Sequence, residues 1–124
     1  LELISIADDQ SVPTTRRGRA IVALGHFPTV PVRAWLEIQL HDRAKETIFR
    51  RKAAWALAVG FGDQVVETHL KSAIADDDVQ LRIAVANALG QLRTSAALGV
   101  LEARLEQESD EAVRLAIKKF VEEK

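Results

Sequence analysis

Leu81-Arg82-Ile83-Ala84-Val85-Ala86-Asn87-Ala88-Leu89-Gly90 reads without a gap against Phe49-Arg50-Arg51-Lys52-Ala53-Ala54-Trp55-Ala56-Leu57-Ala58, which lies 32 residues earlier. A further 32 residues on stands Val113-Arg114-Leu115-Ala116-Ile117-Lys118-Lys119-Phe120-Val121, and 33 residues before the Phe49 copy lies Arg16-Arg17-Gly18-Arg19-Ala20-Ile21-Val22-Ala23-Leu24-Gly25. Self-similarity at this period marks a repeat array, in which one supersecondary unit recurs and buries its apolar face only by stacking. The columns of the alignment are Arg17, Arg50, Arg82 and Arg114; Ala20, Ala53, Val85 and Ile117; and Leu24, Leu57, Leu89 and Val121. They stand three or four residues apart, which is one face of a helix. A small column, Ala23, Ala56 and Ala88, permits neighbouring helices to approach closely, and Phe120 breaks it in the last copy. Four residues before the arginine come Pro13, Glu46, Asp78 and Asp110. The three acids are expected to complement the helix dipole and to pair with the arginine one turn on.

A second set of apolar positions alternates with the first: Val32, Leu36 and Leu40; Val66, Leu70 and Ile74; Ala97, Leu101 and Leu105. Each predicts a shorter amphipathic helix. Gly25 and Gly90 stand where a left-handed terminal residue is wanted, Pro31 sits near a helix start, and Asp63 and Thr94 read as N-caps. The link Val59-Gly60-Phe61-Gly62 is one residue longer than its counterparts. The spacing places first helices near 13–25, 45–59, 77–90 and 109–123, and second helices near 30–41, 63–74 and 94–107. Residues 1–124 form a single repeat domain on this reading, with repeats at about 9–41, 42–75, 76–107 and 108–124, and with 1–8 the remnant of a preceding helix.

An acid, then a hydrophobic-arginine pair, then an alanine-rich turn ending Ala-Leu-Gly resembles the HEAT-like repeats of the phycobilin-lyase type. The stretch from Asp76-Asp77-Asp78 to Leu89-Gly90 carries the resemblance best. It implies an all-α fold, a right-handed α-α superhelix or HEAT-like α-solenoid of about four helix pairs, with seven to eight helices. For function it implies little, because such repeats serve as scaffolds, as chromophore lyases and in a few enzymes. The HEAT-like iron hydroxylases carry repeated His-Glu dipeptides, and this sequence has none.

Composition narrows the function classes. The chain has 124 residues, 48% apolar and 28% charged, the profile of a folded domain. A formal charge of −1 gives no global pull toward nucleic acid or an anionic membrane. The lack of cysteine excludes disulfides, zinc thiolates and thiol nucleophiles, and fits cytosol and periplasm equally. No stretch approaches the roughly 18–20 apolar residues of a membrane span, and Leu1-Glu2-Leu3-Ile4 lacks the basic flank of a signal peptide, so a cytoplasmic setting is favoured. The absence of methionine predicts an excised or processed segment, with further repeats beyond it.

No catalytic constellation is visible, and the protein is expected not to be an enzyme. GxSxG, P-loop and dinucleotide patterns are missing, and Asp76-Asp77-Asp78 lacks the alternation of a calcium loop and reads as a helix start. His26, His41 and His69 show neither HExxH nor HxxxH spacing, so no metal and no cofactor are expected; His41 is read as closing a helix and His69 as a packed or rim residue.

Local charge is less bland than the total. Residues 10–60 carry a balance of +6 and residues 61–124 one of −4. Two binding surfaces follow. On the second helices, expected to line the concave side, Arg33, Glu37, His41, Glu67, Lys71 and Glu102 form a mixed-charge ridge suited to a partner protein or peptide. On the first helices, Arg16, Arg19, Arg51 and Lys52 project from the basic half together with Trp55, an arrangement that would suit nucleic acid or another polyanion. The competing reading makes these charges a solvated face and Trp55 a packing residue between repeats. Protein interaction is the leading expectation, polyanion binding the alternative and a chromophore-lyase role the third.

Overall fold

The computed structural model describes residues 2–121. A short helix α1 (Glu2–Asp8) precedes α2 (Thr14–Leu24), α3 (Val30–His41) and α4 (Thr47–Phe61). A 3-10 turn (Gly62–Val65) and a π turn (Val66–Leu70) lead into the single α turn α5 (Lys71–Ala73). Then follow α6 (Val79–Leu92), α7 (Ser95–Leu105) and α8 (Glu111–Val121). No strand occurs among the described residues. The first helices are therefore α2, α4, α6 and α8, and the second helices α1, α3, the 62–73 segment and α7. The parts of the expected first and last helices that fall on residues 1 and 122–123 lie outside the described residues.

The predicted apolar columns form the core. Ile21, Leu24, Leu36, Leu40, Leu57, Leu70, Leu81, Leu89, Leu101 and Ile117 are all under 2% exposed. Each fully buried Leu or Ile contributes about 1.5–3 kcal/mol, and a single helix pair has too few such residues to fold alone. Burial runs unbroken from Ala7 to Ile117 as one cluster.

The second helix of the middle pair departs from expectation. Asp63 does not cap a helix; it lies in the 3-10 turn and accepts a hydrogen bond from the Thr94 hydroxyl at 2.6 Å. The cause is the longer link. Helix α4 absorbs it by running on to Phe61, Gly62 turns the chain at φ 55°, and the next turn closes in π geometry, which holds one more residue than an α turn. Thr94 and Asp78 do cap their helices, accepting from Ala97 N–H at 3.2 Å and from Gln80 and Leu81 N–H at 2.8 and 3.2 Å.

The glycines at the first-helix ends serve closeness rather than handedness. Gly25 is right-handed, Gly90 lies inside α6, and the left-handed residue after α6 is Arg93 at φ 57°. A Cβ on Gly25 would stand 3.0 Å from the Ala56 carbonyl oxygen, and one on Gly60 only 2.8 Å from the Gly25 carbonyl oxygen. The Phe120 ring occupies the space a Cβ on Gly90 would need, which is how the array accepts a large residue in its small column. First helices stack directly on one another along the array, α2 on α4 on α6 on α8, while the second helices touch one another sparsely.

The arginine column also behaves differently from its local reading. Arg50, Arg82 and Arg114 do not pair with the acid four residues earlier. They turn inward: Arg50 Nε donates to Leu40 O at 2.9 Å and Arg114 Nη1 to Leu105 O at 2.8 Å at the ends of the preceding second helices, just as Arg17 Nε does to Ala7 O at 2.9 Å, while Arg82 Nη1 donates to Asp76 O at 2.9 Å in the connection after α5. Carbonyls at helix C-termini have no intrahelical partner and carry the negative pole, so a buried guanidinium satisfies both demands. Asp76 and Glu108 complete the arrangement, Asp76 meeting Arg50 at 2.6 Å and Glu108 meeting Arg82 at 3.0 Å and Arg104 at 3.1 Å.

Candidate functional site

The second-helix ridge is largely self-satisfied. Arg33 Nε donates to Glu37 Oε2 at 2.8 Å, one turn along α3, and Arg33 Nη1 reaches Gln64 Oε1 at 3.4 Å. The same Glu37 oxygen lies 2.8 Å from His69 Nε2, and the other side of that ring, Nδ1, lies 2.9 Å from His41 Nε2. Lys71 and Glu67 pair at 3.4 Å on an exposed turn. Glu102 is exposed on α7 and joins neither group among the described residues. Five of the six ridge residues thus fall into two clusters, and His69, read from sequence as packed or at the rim, is the hinge of the first. Burial lowers the His41 pKa, and the charges of His69 and Arg50 lower it further against Glu37 and Asp76, which favours the neutral ring near neutral pH.

The first-helix ridge presents the opposite condition. Trp55 is 38% exposed and, with Arg51, Lys52, Val22, Ala84 and Asn87, lines a cavity of about 490 Å³ between α2, α4 and α6. A second cavity of about 550 Å³ continues from it between α2 and α4, sharing Val22 and Lys52 and adding Arg19 and His26. The two form one groove across three helices. No carboxylate lines either part, and none of Arg16, Arg19, Arg51 or Lys52 makes an ion pair among the described residues. Arg51 Nε is buried without an acceptor. Lys52 extends along Gly18, its Cε 3.6 Å from where a Cβ would stand. Arg16 is exposed and outside both cavities.

Helical periodicity explains this placement. Arg51, Lys52 and Trp55 occupy the face of α4 opposite the buried Ala53, Ala54 and Leu57, and Arg19 holds the equivalent face of α2. The register of the stack then brings Asn87 and Ala84 of α6 alongside. Those two walls were not legible as site residues, because they carry no charge and sit inside the repeat consensus. A larger cavity of about 670 Å³ lies between the loops at 10–14 and 42–46, but it mixes Arg17 and Lys45 with Asp42 and Glu46 and offers no single sign of charge.

Residues 34–119, from within α3 to within α8, match the family described as HEAT repeats. The chain is a HEAT-repeat protein. The match covers more than two thirds of the sequence and agrees with the all-α, helix-paired architecture; it does not distinguish the phycobilin-lyase type. No curated protein matches the chain significantly. HEAT repeats generally act as protein-interaction scaffolds. No helix among the described residues of this HEAT-repeat protein is long and apolar enough to cross a membrane.

Proposed function

We propose that this HEAT-repeat protein is a non-enzymatic interaction module that receives an acidic segment of a partner protein in the first-helix groove. Arg51 carries the reading: it lines the groove beside Lys52 and Trp55 and makes no ion pair among the described residues. An acidic side chain in the groove would receive charge-assisted hydrogen bonds from the Arg51 and Lys52 head groups, beside which no carboxylate of the chain stands. Trp55 supplies an apolar surface at the centre, the combination of aromatic and arginine that dominates interface energetics. The second-helix ridge is the weaker contact surface, since a partner would have to displace charges already paired with one another.

Nucleic acid is the second reading, favoured by the stacking face of Trp55 amid unpaired cations. Peptide selection on the immobilised chain separates the two. The expected outcome is enrichment of Asp- and Glu-containing sequences that lose binding to the R51E/K52E variant and keep it with the E37K/K71E variant. Selection of neutral sequences indifferent to R51E/K52E would contradict the proposal. Duplex or single-stranded DNA bound in the micromolar range, with affinity falling about linearly in log salt, would replace it with the second reading.

A further inference from the structure

His41 and His69 lie 28 residues apart in sequence and belong to neighbouring second helices, yet His41 Nε2 and His69 Nδ1 face each other at 2.9 Å. The rings are tilted by 39° with centroids 5.1 Å apart, so the nitrogens meet edge to edge rather than by stacking. On the far side of the His69 ring, Nε2 lies 2.8 Å from Glu37 Oε2. An ionised carboxylate only accepts, so His69 Nε2 carries a proton, and in the neutral ring Nδ1 then presents a lone pair toward His41. Glu37 is itself held by Arg33 at 2.8 Å. A carboxylate accepting from one imidazole N–H is the outer-shell partner that fixes metal-ligating histidines, and here the other nitrogen of the same ring meets His41 Nε2.

We propose that His41 Nε2 and His69 Nδ1 form a two-histidine site for a borderline divalent transition metal of the zinc, nickel or copper type, with Glu37 as the positioning residue behind His69. Tetrahedral zinc with bonds of about 2.0–2.1 Å sets its nitrogens about 3.3 Å apart with both lone pairs converging on the metal, so the two rings, which now face each other nitrogen to nitrogen, swing to admit it. The proton on His41 Nε2 moves to its own Nδ1 through solvent, and the ring enters the site neutral with no net proton released. No third His, Cys, Asp or Glu among the described residues joins as a ligand, so solvent or a donor from a partner fills the remaining positions. Imidazole nitrogens without a carboxylate on the metal disfavour magnesium and calcium. The local backbone is rigid on one side and unusual on the other. His41 closes the regular helix α3, whereas His69 sits in the π turn Val66–Leu70, pinned by the buried Val66 and Leu70, and π turns recur at ligand sites.

The test is calorimetric titration of the tag-free chain with zinc chloride in a non-chelating buffer, alongside nitrogen-detected NMR of the histidine rings. The expected result is one zinc per chain at micromolar affinity, weakened at least tenfold by H41A or H69A and unchanged by H26A, whose exposed ring lies on the first-helix face. E37A should weaken zinc about tenfold and shift His69 away from its Nε2–H tautomer in the metal-free chain, with partial recovery in E37Q. Absence of saturable binding at millimolar zinc, or equal loss from H26A and H41A, would overturn the site. An unchanged His69 tautomer in E37A would overturn the role of Glu37. Circular dichroism confirms that each variant remains helical, and H41A, at an exposed position, keeps the test open where H69A unfolds.

Discussion

Arg50 and Asp76, 26 residues apart, meet at 2.6 Å with side chains 4% and 10% exposed, while Arg50 Nε donates to the Leu40 carbonyl at 2.9 Å. One guanidinium therefore ties the end of α3, the body of α4 and the connection before α6. Replacing it with a residue of similar length but no charge, R50M, leaves the part-buried Asp76 with only the Asp78 N–H and the more distant Arg43, and the end of α3 without its donor. The expected loss is about 3–5 kcal/mol in urea unfolding, the cost of breaking a buried pair by removing one partner. A loss below about 1 kcal/mol would mean that water replaces the guanidinium at this point.

Acid should weaken the fold through the same groups. Burial works to raise the pKa of Asp76, but hydrogen bonds from Arg50 and from Asp78 N–H, with the charges of Arg50 and Arg43, outweigh it and hold the value down. Glu108 is likewise lowered: against burial stand the Asp110 N–H and the Arg82 and Arg104 guanidinium groups. A carboxylate with a depressed folded pKa contributes stability above its unfolded value, about 3.9 for Asp and 4.3 for Glu, and that contribution is lost as pH falls through the folded value. Urea midpoints should ease downward below about pH 6.5, where His41 charges more readily in the unfolded chain, and drop further below about 4, with the second drop smaller in D76N.

Gly90 and Phe120 form a matched pair. Since the Phe120 ring fills the place of a Cβ, G90A is expected to cost about 1–3 kcal/mol by overpacking. Trimming the ring in F120L should make the alanine cheaper, so that the double variant loses less than the sum of the single ones. Strict additivity would show that α6 and α8 adjust without strain.

The sequence made the helices legible because the repeat imposes the same apolar columns four times, and the buried residues Leu24, Leu57 and Leu89 follow those columns. What it hid depends on contacts between repeats. The Arg50 column was visible, yet its partners lie across a connection rather than one turn away, and only the stacked fold aims the guanidinium at Leu40 and Asp76. Gly25 and Gly90 look like helix terminators until the Ala56 carbonyl beside the one and the Phe120 ring against the other are seen. Arg19, Arg51, Lys52 and Trp55 were legible as a basic face, since helical angle alone groups them, whereas the meeting of His41 and His69 depends on the register between two second helices and on a π turn that periodicity does not announce.

The electrostatics of the groove can be read without a partner. The chain has two tryptophans, and W35F leaves Trp55 as the reporter, at the cost of the hydrogen bond from Trp35 to Asp8. Unpaired cations beside Trp55 should attract iodide and repel caesium, so iodide quenching should exceed caesium quenching several-fold, with the excess removed by R51E/K52E and by salt. Equal quenching by both ions would mean that no positive field surrounds the indole.

The most direct measurement of the central claim is an NMR map of an acidic peptide, obtained by selection on this chain, titrated into the isotope-labelled protein. The account predicts shifts at the Trp55 indole, Gly18, Ala84 and Asn87, with Glu37, Lys71 and Glu102 unmoved. Shifts confined to the second helices, with a silent Trp55 indole, would contradict it.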